Sequence, residues 1–170
     1  MAQQSGVPGL WPRMIVFRMG VTAQPVYITD AVIDHVRAFR QLSSESTEAG
    51  GGIFITPSET CLTMAVATGP YESDIRTRTR FRVDATRLND DIGRLRQENL
   101  YFVGMWHTHP EDIPRPSHLD LLAMRHLFRV NDHGLVAMLL MIVGRLTTLN
   151  GLSLSLHTEN EYERVPLSLA

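Results

Sequence analysis

The chain has 170 residues, 44% of them hydrophobic, enough to bury one sizeable core and to set an expectation of a single domain. A formal net charge of −2 argues against nucleic acid or a membrane surface as a partner drawn in by the global field. A single cysteine, Cys61, excludes an internal disulfide framework, and with no membrane-length apolar run and no secretory signal the expectation is a cytoplasmic protein.

Residues 1–13 carry Gln, Ser, Gly and Pro and read as a flexible lead-in, so the folded domain is expected over 14–170. Strands are expected over 14–18 and 26–29. A helix over 31–42 follows, capped by Asp30, with Val32, Ile33, Val36 and Phe39 at helical spacing. Beyond a polar loop at 43–47, strands over 51–56 and 61–68 pair about a Pro57-Ser58-Glu59-Thr60 turn. Cys61 opens the second of these and reads as a buried, inert thiol.

Residues 76–83 alternate as one strand, which sets Arg76, Arg78, Arg80 and Arg82 on one face and Thr77, Thr79 and Phe81 on the other. That arginine face is either a solvated edge, where charge discourages pairing, or a docking surface for an acidic partner or phosphates. Asp84 caps a helix to residue 97 with Leu88, Ile92 and Leu95 inward. A buried strand over 100–106, a helix over 117–130, an apolar strand opened by Gly134 and running to 143, and an alternating strand over 152–157 complete the pass. Strands interspersed with three helices indicate a mixed α/β fold.

The densest chemistry lies at Trp106-His107-Thr108-His109-Pro110 and Pro116-Ser117-His118-Leu119-Asp120. Histidines at i and i+2 on a strand point the same way, and Asp120 lies one helical turn beyond Ser117. Two imidazoles and one carboxylate leave a fourth position for water, the ligand count of a catalytic zinc site. Ser117-x-x-Asp120 is also a capping-box pattern, so Ser117 has a purely structural reading as a helix start, compatible with a chemical one. His35, His118, His126, His133 and His157 have no second ligand set that the sequence identifies.

The order His-x-His-x7-Ser-x2-Asp is the core of the JAMM motif, and over residues 14–157 the chain resembles the JAB/MPN+ metallopeptidases. The resemblance implies a cytidine-deaminase-like mixed β-sheet flanked by helices, with one Zn2+ per chain held by His107, His109 and Asp120. It also implies a glutamate base in a Glu-x-x-Gly step before a hydrophobic strand. Glu48-Ala49-Gly50-Gly51-Gly52-Ile53-Phe54 matches that step, with Glu45 as the nearby competitor and Ile55 where the family often has another glycine. Ser117 then helps stabilise the oxyanion, and no covalent intermediate is required.

The fuller run from Gly104 looks like the stand-alone bacterial JAB peptidases found with E1-like and E2-like proteins in CBASS antiphage and bacterial ubiquitin-like (Bil) operons. The implied function is zinc-dependent isopeptidase or peptidase cleavage after the tail of a ubiquitin-like protein or conjugated protein. A peptidase trimming a sulfur-carrier precursor or cysteine adduct would share every site residue, and a non-catalytic MPN scaffold is the third reading, against which the retained ligands argue. All 16 basic residues are arginine. A GC-rich genome and selection against becoming a target of lysine conjugation would both produce that composition.

Overall fold

A computed structural model of the chain describes residues 15–19, 23–130 and 134–170. The lead-in over 1–13 and His133 therefore lie outside the described residues. The elements are β1 (Ile15–Met19), β2 (Gln24–Ile28), α1 (Asp30–Arg37), β3 (Gly50–Pro57), β4 (Leu62–Ala67), β5 (Ile75–Thr77), β6 (Arg80–Arg82) and α2 (Ala85–Arg96). They continue with β7 (Tyr101–Thr108), α3 (His118–Val130), β8 (Met138–Val143), β9 (Leu152–His157), β10 (Tyr162–Arg164) and β11 (Ser168–Leu169). Nine strands form one sheet in the order β10-β9-β8-β7-β3-β4-β2-β1-β11, while β5 and β6 make a separate hairpin. The pairs β2–β4 and β7–β8 are parallel and the other neighbours antiparallel. This is the mixed α/β architecture expected, with three helices among the described residues.

Hydrophobic patterning explains the layers. All six residues of β8, Met-Leu-Leu-Met-Ile-Val, are buried, as an interior strand covered on both faces requires. On one face α1 seats Val32, Ile33 and Val36 in the larger cluster, against Ile53, Met64 and Trp106. On the other, Met124 of α3 packs on Met138, Leu140 and Ile142. Leu88 of α2 lies over Gly52, close enough that a Cβ there would meet it. No helix among the described residues is long and apolar enough to cross a membrane.

Several expectations need correction. The N-cap of α1 is Thr29, whose Oγ1 accepts from the Val32 N–H at 3.3 Å, and Asp30 becomes the first-turn acid. The helix ends at Arg37 because the backbone tightens into three-residue bonds over Phe39 and Arg40 and then turns inward, leaving Gln41 buried. Residues 76–83 are not one strand. They fold back on themselves, pairing Arg76 with Phe81 and Thr77 with Arg80. Directly opposed residues share a face, so Arg76 lies with Phe81 while Arg80 and Arg82 lie on the other side, and Arg78 sits in the turn. Backbone carbonyls capture the first two arginines: Arg76 Nε donates to Glu48 O at 2.6 Å, and Arg78 Nη1 donates to Ser43 O and Ser44 O at 2.8 and 2.9 Å.

Cys61 is only half-buried, at the β3–β4 turn, where its Sγ lies 3.2 Å from Ser58 Oγ. The apolar strand after Gly134 begins at Met138. The terminal strands β10 and β11 have no apolar alternation to announce them. All of their residues are exposed, and they form by pairing with β9 and β1.

The register of β7 on β3 shifts between Ile53 and Phe54, so Phe102 opposes Phe54 while Gly104 opposes Ile53. The extra residue changes the phase of the strand: Phe102 and Met105 pack with the α3-side cluster, Val103 and Trp106 with the α1-side cluster. Gly104 is where β7 crosses closest to β8, and a Cβ there would overlap the Leu139 carbonyl. Gly104→Ala should therefore destabilise the fold by about 3 kcal/mol, since backbone cannot yield as a side chain can. An unfolding free energy from urea titration lowered by less than about 1 kcal/mol would show that the strands part easily.

Candidate metal centre

The bulge in β7 has a chemical consequence. With Met105 turned toward α3, alternation carries His107 to the same side, and His109 joins it just past the strand end, fixed by its N–H to Val143 O at 2.9 Å. Thr108, between them, faces the opposite way, toward α1. Its Oγ1 accepts from the Ala49 N–H at 3.0 Å and its own N–H donates to Ala49 O at 2.8 Å.

The third donor, a carboxylate, arrives at the start of α3. The Ser117 N–H donates to Asp120 Oδ2 at 2.6 Å, and the Asp120 N–H donates to Ser117 Oγ at 3.2 Å. That reciprocal pair is a capping box, with Asp in place of the usual Glu or Gln. The structural reading of Ser117 is thus correct, and it leaves the hydroxyl its own proton to donate elsewhere. The cap aims the carboxylate at the histidines.

His107 Nε2 and His109 Nε2 lie 3.0 Å apart, and each lies 3.3 to 3.4 Å from an oxygen of Asp120. Ligands about 2.0–2.1 Å from a tetrahedral zinc are separated by about 3.3 Å. The three donors therefore sit where a single ion could be shared, and they form the one His/Cys/Asp/Glu cluster of that kind among the described residues. Glu48 stands beside them, 5% exposed, with Oε1 3.9 Å from His109 Nε2. Glu45 is exposed and bonded to Ser44, away from the centre. Glu111 adds a further acid, 3.9 Å from His109 Nδ1.

Electrostatics follow from this crowding. Burial pushes the Glu48 carboxyl up to about 7, with Asp120 and Glu111 adding to the rise and His109 opposing it. Burial would raise Asp120 as well, but bonds from His107 and His109 hold it well below the usual carboxylate range. Burial lowers His109, and its bond to Asp120 and the nearby negative charges more than reverse that. The two neighbouring carboxyls are thus pushed in opposite directions, one toward neutrality and the other toward lasting ionisation.

Two hollows meet at Asp120. One, of about 440 Å³, runs between α2 and α3 and is mostly apolar, floored by Phe102, Met105 and Leu140 and reaching His107. The other, of about 360 Å³, holds Glu48, His109 and Ser117, with Arg80, Arg82 and Glu111 on its walls. Of the four arginines singled out in the sequence, Arg80 and Arg82 thus border the centre, while Arg76 and Arg78 brace the backbone. Gln41 lies outside every motif and Thr108 is only the residue between the two histidines, so their hydrogen bond to each other has no signal in the sequence.

Comparison with known proteins bears on this geometry. A family model described as prokaryotic homologs of the JAB domain matches residues 29–155. The chain is 36% identical over 126 residues to a protein named CD-NTase/cGAS isopeptidase from Vibrio cholerae, covering 71% of this chain and 76% of that one. A protein of the same name from Escherichia coli is 30% identical with the same coverage. Among solved structures, protein DSY2949 from Desulfitobacterium hafniense superposes with a TM-score of 0.55 at 15% identity, covering 81% of this chain and 87% of that one, and it shares the fold.

Removing the cap tests the structural half of the site. Ser117→Ala should cost about 1 kcal/mol of stability, lowering Tm by about 2–4 °C for a chain of this length. An unchanged melting curve in the metal-free protein would mean that the capping box carries no load.

Proposed function

The chain belongs to the prokaryotic JAB-domain family, and on that premise we propose that it is a zinc-dependent isopeptidase of a bacterial antiphage conjugation system. It cleaves after the C-terminal tail of a ubiquitin-like protein, or of a protein conjugated in the same manner. The observation that carries the proposal is the approach of His107, His109 and Asp120 to within 3.0 to 3.4 Å of one another, with Glu48 alongside. The relatives named CD-NTase/cGAS isopeptidase support cleavage of a protein conjugate. E1-like and E2-like proteins encoded nearby are the expected partners.

His107, His109 and Asp120 are the proposed ligands. Zinc held there would supply a Lewis acid and would lower the pKa of a water toward about 7. Glu48, a carboxyl whose proton affinity burial raises, would take a proton from that water and hand it to the departing amine. Ser117 donates its hydroxyl hydrogen to the negative charge developing on the carbonyl oxygen, a contribution typically worth about 3–4 kcal/mol. An extended tail lying along the cleft between the β5–β6 hairpin and α3 would present its last carbonyl to this group. Glycine is favoured just before the cut because side chains there would obstruct the approach of the backbone.

Purified protein should hold about one zinc per chain, and loss of His107, His109 or Asp120 should abolish both metal and turnover. Full zinc occupancy in a His107→Ala, His109→Ala double variant would refute the ligand set. Glu48→Ala should keep its zinc and its fold but fail to hydrolyse. The direct assay mixes wild type and Glu48→Ala with a fusion of the neighbouring-gene ubiquitin-like protein, read by gel and mass spectrometry. Zinc-loaded wild type that ignores such fusions but frees cysteine from a carrier peptide would favour the sulfur-carrier reading instead.

Arg80 and Arg82 are proposed to guide an acidic modifier or target into the cleft. Arg80→Ser with Arg82→Ser should raise the apparent KM and flatten its salt dependence while leaving kcat nearly unchanged. Identical kinetics at low and high salt for wild type and variant would make this pair a solvated edge.

A further inference from the structure

Gln41 follows the last turn of α1 and is 1% exposed. An amide this deep is tolerated when its polar atoms are partnered, and here they are. Nε2 donates to Arg78 O at 2.7 Å and to Ser46 O at 3.2 Å, while Oε1 accepts from Thr108 Oγ1 at 3.2 Å. The orientation is dictated chemically, because only the NH2 can face two carbonyls. The Thr108 hydroxyl in turn accepts from the Ala49 N–H.

Four segments meet at this side chain: the end of α1, the loop that carries Glu48, the turn of the arginine hairpin, and the end of β7 between the two histidines. The residue that gains most is Glu48. Its N–H donates to Thr77 O at 2.8 Å and its carbonyl accepts from Arg76 Nε. Among the described residues it is the backbone of Glu48 that carries these hydrogen bonds, while the carboxylate stands 3.9 Å from His109. Where the carboxylate sits is thus decided by where its loop is anchored, and the loop is anchored to the hairpin and to Thr108.

We propose that Gln41 is a positioning residue for the reaction: by bridging Ser46, Arg78 and Thr108 it holds the Glu48 carboxylate over the centre formed by His107, His109 and Asp120. The proposal rests on Glu48 acting as the base. Gln41 touches no substrate and no ligand atom, so its effect belongs in kcat and not in metal content or KM.

Gln41→Met keeps the length of the side chain and removes every hydrogen bond. It should retain zinc and KM while kcat falls about 10–100-fold, the usual loss when a partner behind a metal centre is removed. Thr108→Val, which deletes the other half of the bridge, should produce the same fall, and Thr108→Ser should recover most of it. Placing Gln41→Met on a Glu48→Gln background should cause no further loss, since the group being positioned is already disabled. A merely structural glutamine would instead lose zinc or fold in step with activity, or add its full effect to Glu48→Gln, and either result overturns the proposal, as does wild-type kcat in Gln41→Met. Should Gln41→Met fail to fold, Thr108→Val and Thr108→Ser decide alone. Normal turnover in Glu48→Gln would remove the base assignment itself, whereas a dead Glu48→Gln beside a fully active Gln41→Met would remove only the positioning role.

Discussion

Two imidazoles and two carboxylates occupy a space that water hardly reaches, and the cost of burying them governs much of the surrounding architecture. Each group is less than a tenth exposed except Asp120, whose side chain is 17% exposed. Bringing ionised groups out of water costs several kcal/mol apiece unless partners compensate. Here Asp120 is compensated by both histidines and by the N–H of Ser117 at the start of α3, where a helix terminus favours negative charge. At Glu48 burial outweighs the pull of His109 at 3.9 Å, so its proton affinity rises instead. One placement yields a permanent anion and the other a neutral-range acid. The fold creates the difference by putting one carboxylate at a helix start and the other in a buried loop.

Such burial is possible because the backbone segments approach unusually closely. A Cβ at Gly51 would overlap the Thr68 carbonyl, and one at Gly104 would overlap that of Leu139. Trp106 then spans the gap on the α1 side, its indole N–H donating to the same Thr68 oxygen at 2.8 Å, with the rings of His35 and Phe39 packed about it. The tryptophan beside the histidines is therefore a structural strut. It lies on the opposite face of β7 from the donors it helps to position.

The legible parts of this molecule were those in which one local rule acts alone. His107 and His109 announce themselves because strand alternation and a short spacing suffice, and Asp84 as the cap of α2 needed only the identity of one side chain. Glu48 was preferred to Glu45 on the Glu-x-x-Gly step, and the overlap a side chain at Gly51 would cause gives that step its physical reason. The arginine run misled because alternation of charge and threonine is what one strand and a tight hairpin both look like. The carbonyls that captured Arg76 and Arg78 belong to a loop some thirty residues earlier in the chain. Gln41 was silent for the same reason: a buried amide is recognised by its partners, and two of its three, Arg78 and Thr108, come from distant parts of the chain. The strands β10 and β11 were silent because exposed strands carry no apolar period.

The division of labour among the arginines shows how one short segment serves two ends. Arg76 and Arg78 spend their donors on the backbone of the loop around Glu48, which ties the hairpin to that loop. Arg80 and Arg82 stand on its other face, at the wall of the cleft that contains Glu48 and Ser117. A partner that pressed on Arg80 or Arg82 would therefore push on a hairpin whose opposite side is bonded to the Glu48 loop. The arginine wall of the cleft and the loop that carries Glu48 are joined through two short strands. The coupling is direct because Thr77, the residue paired with Arg80, also accepts the N–H of Glu48. From Arg80 to the backbone of the acid the path is one paired residue and one hydrogen bond.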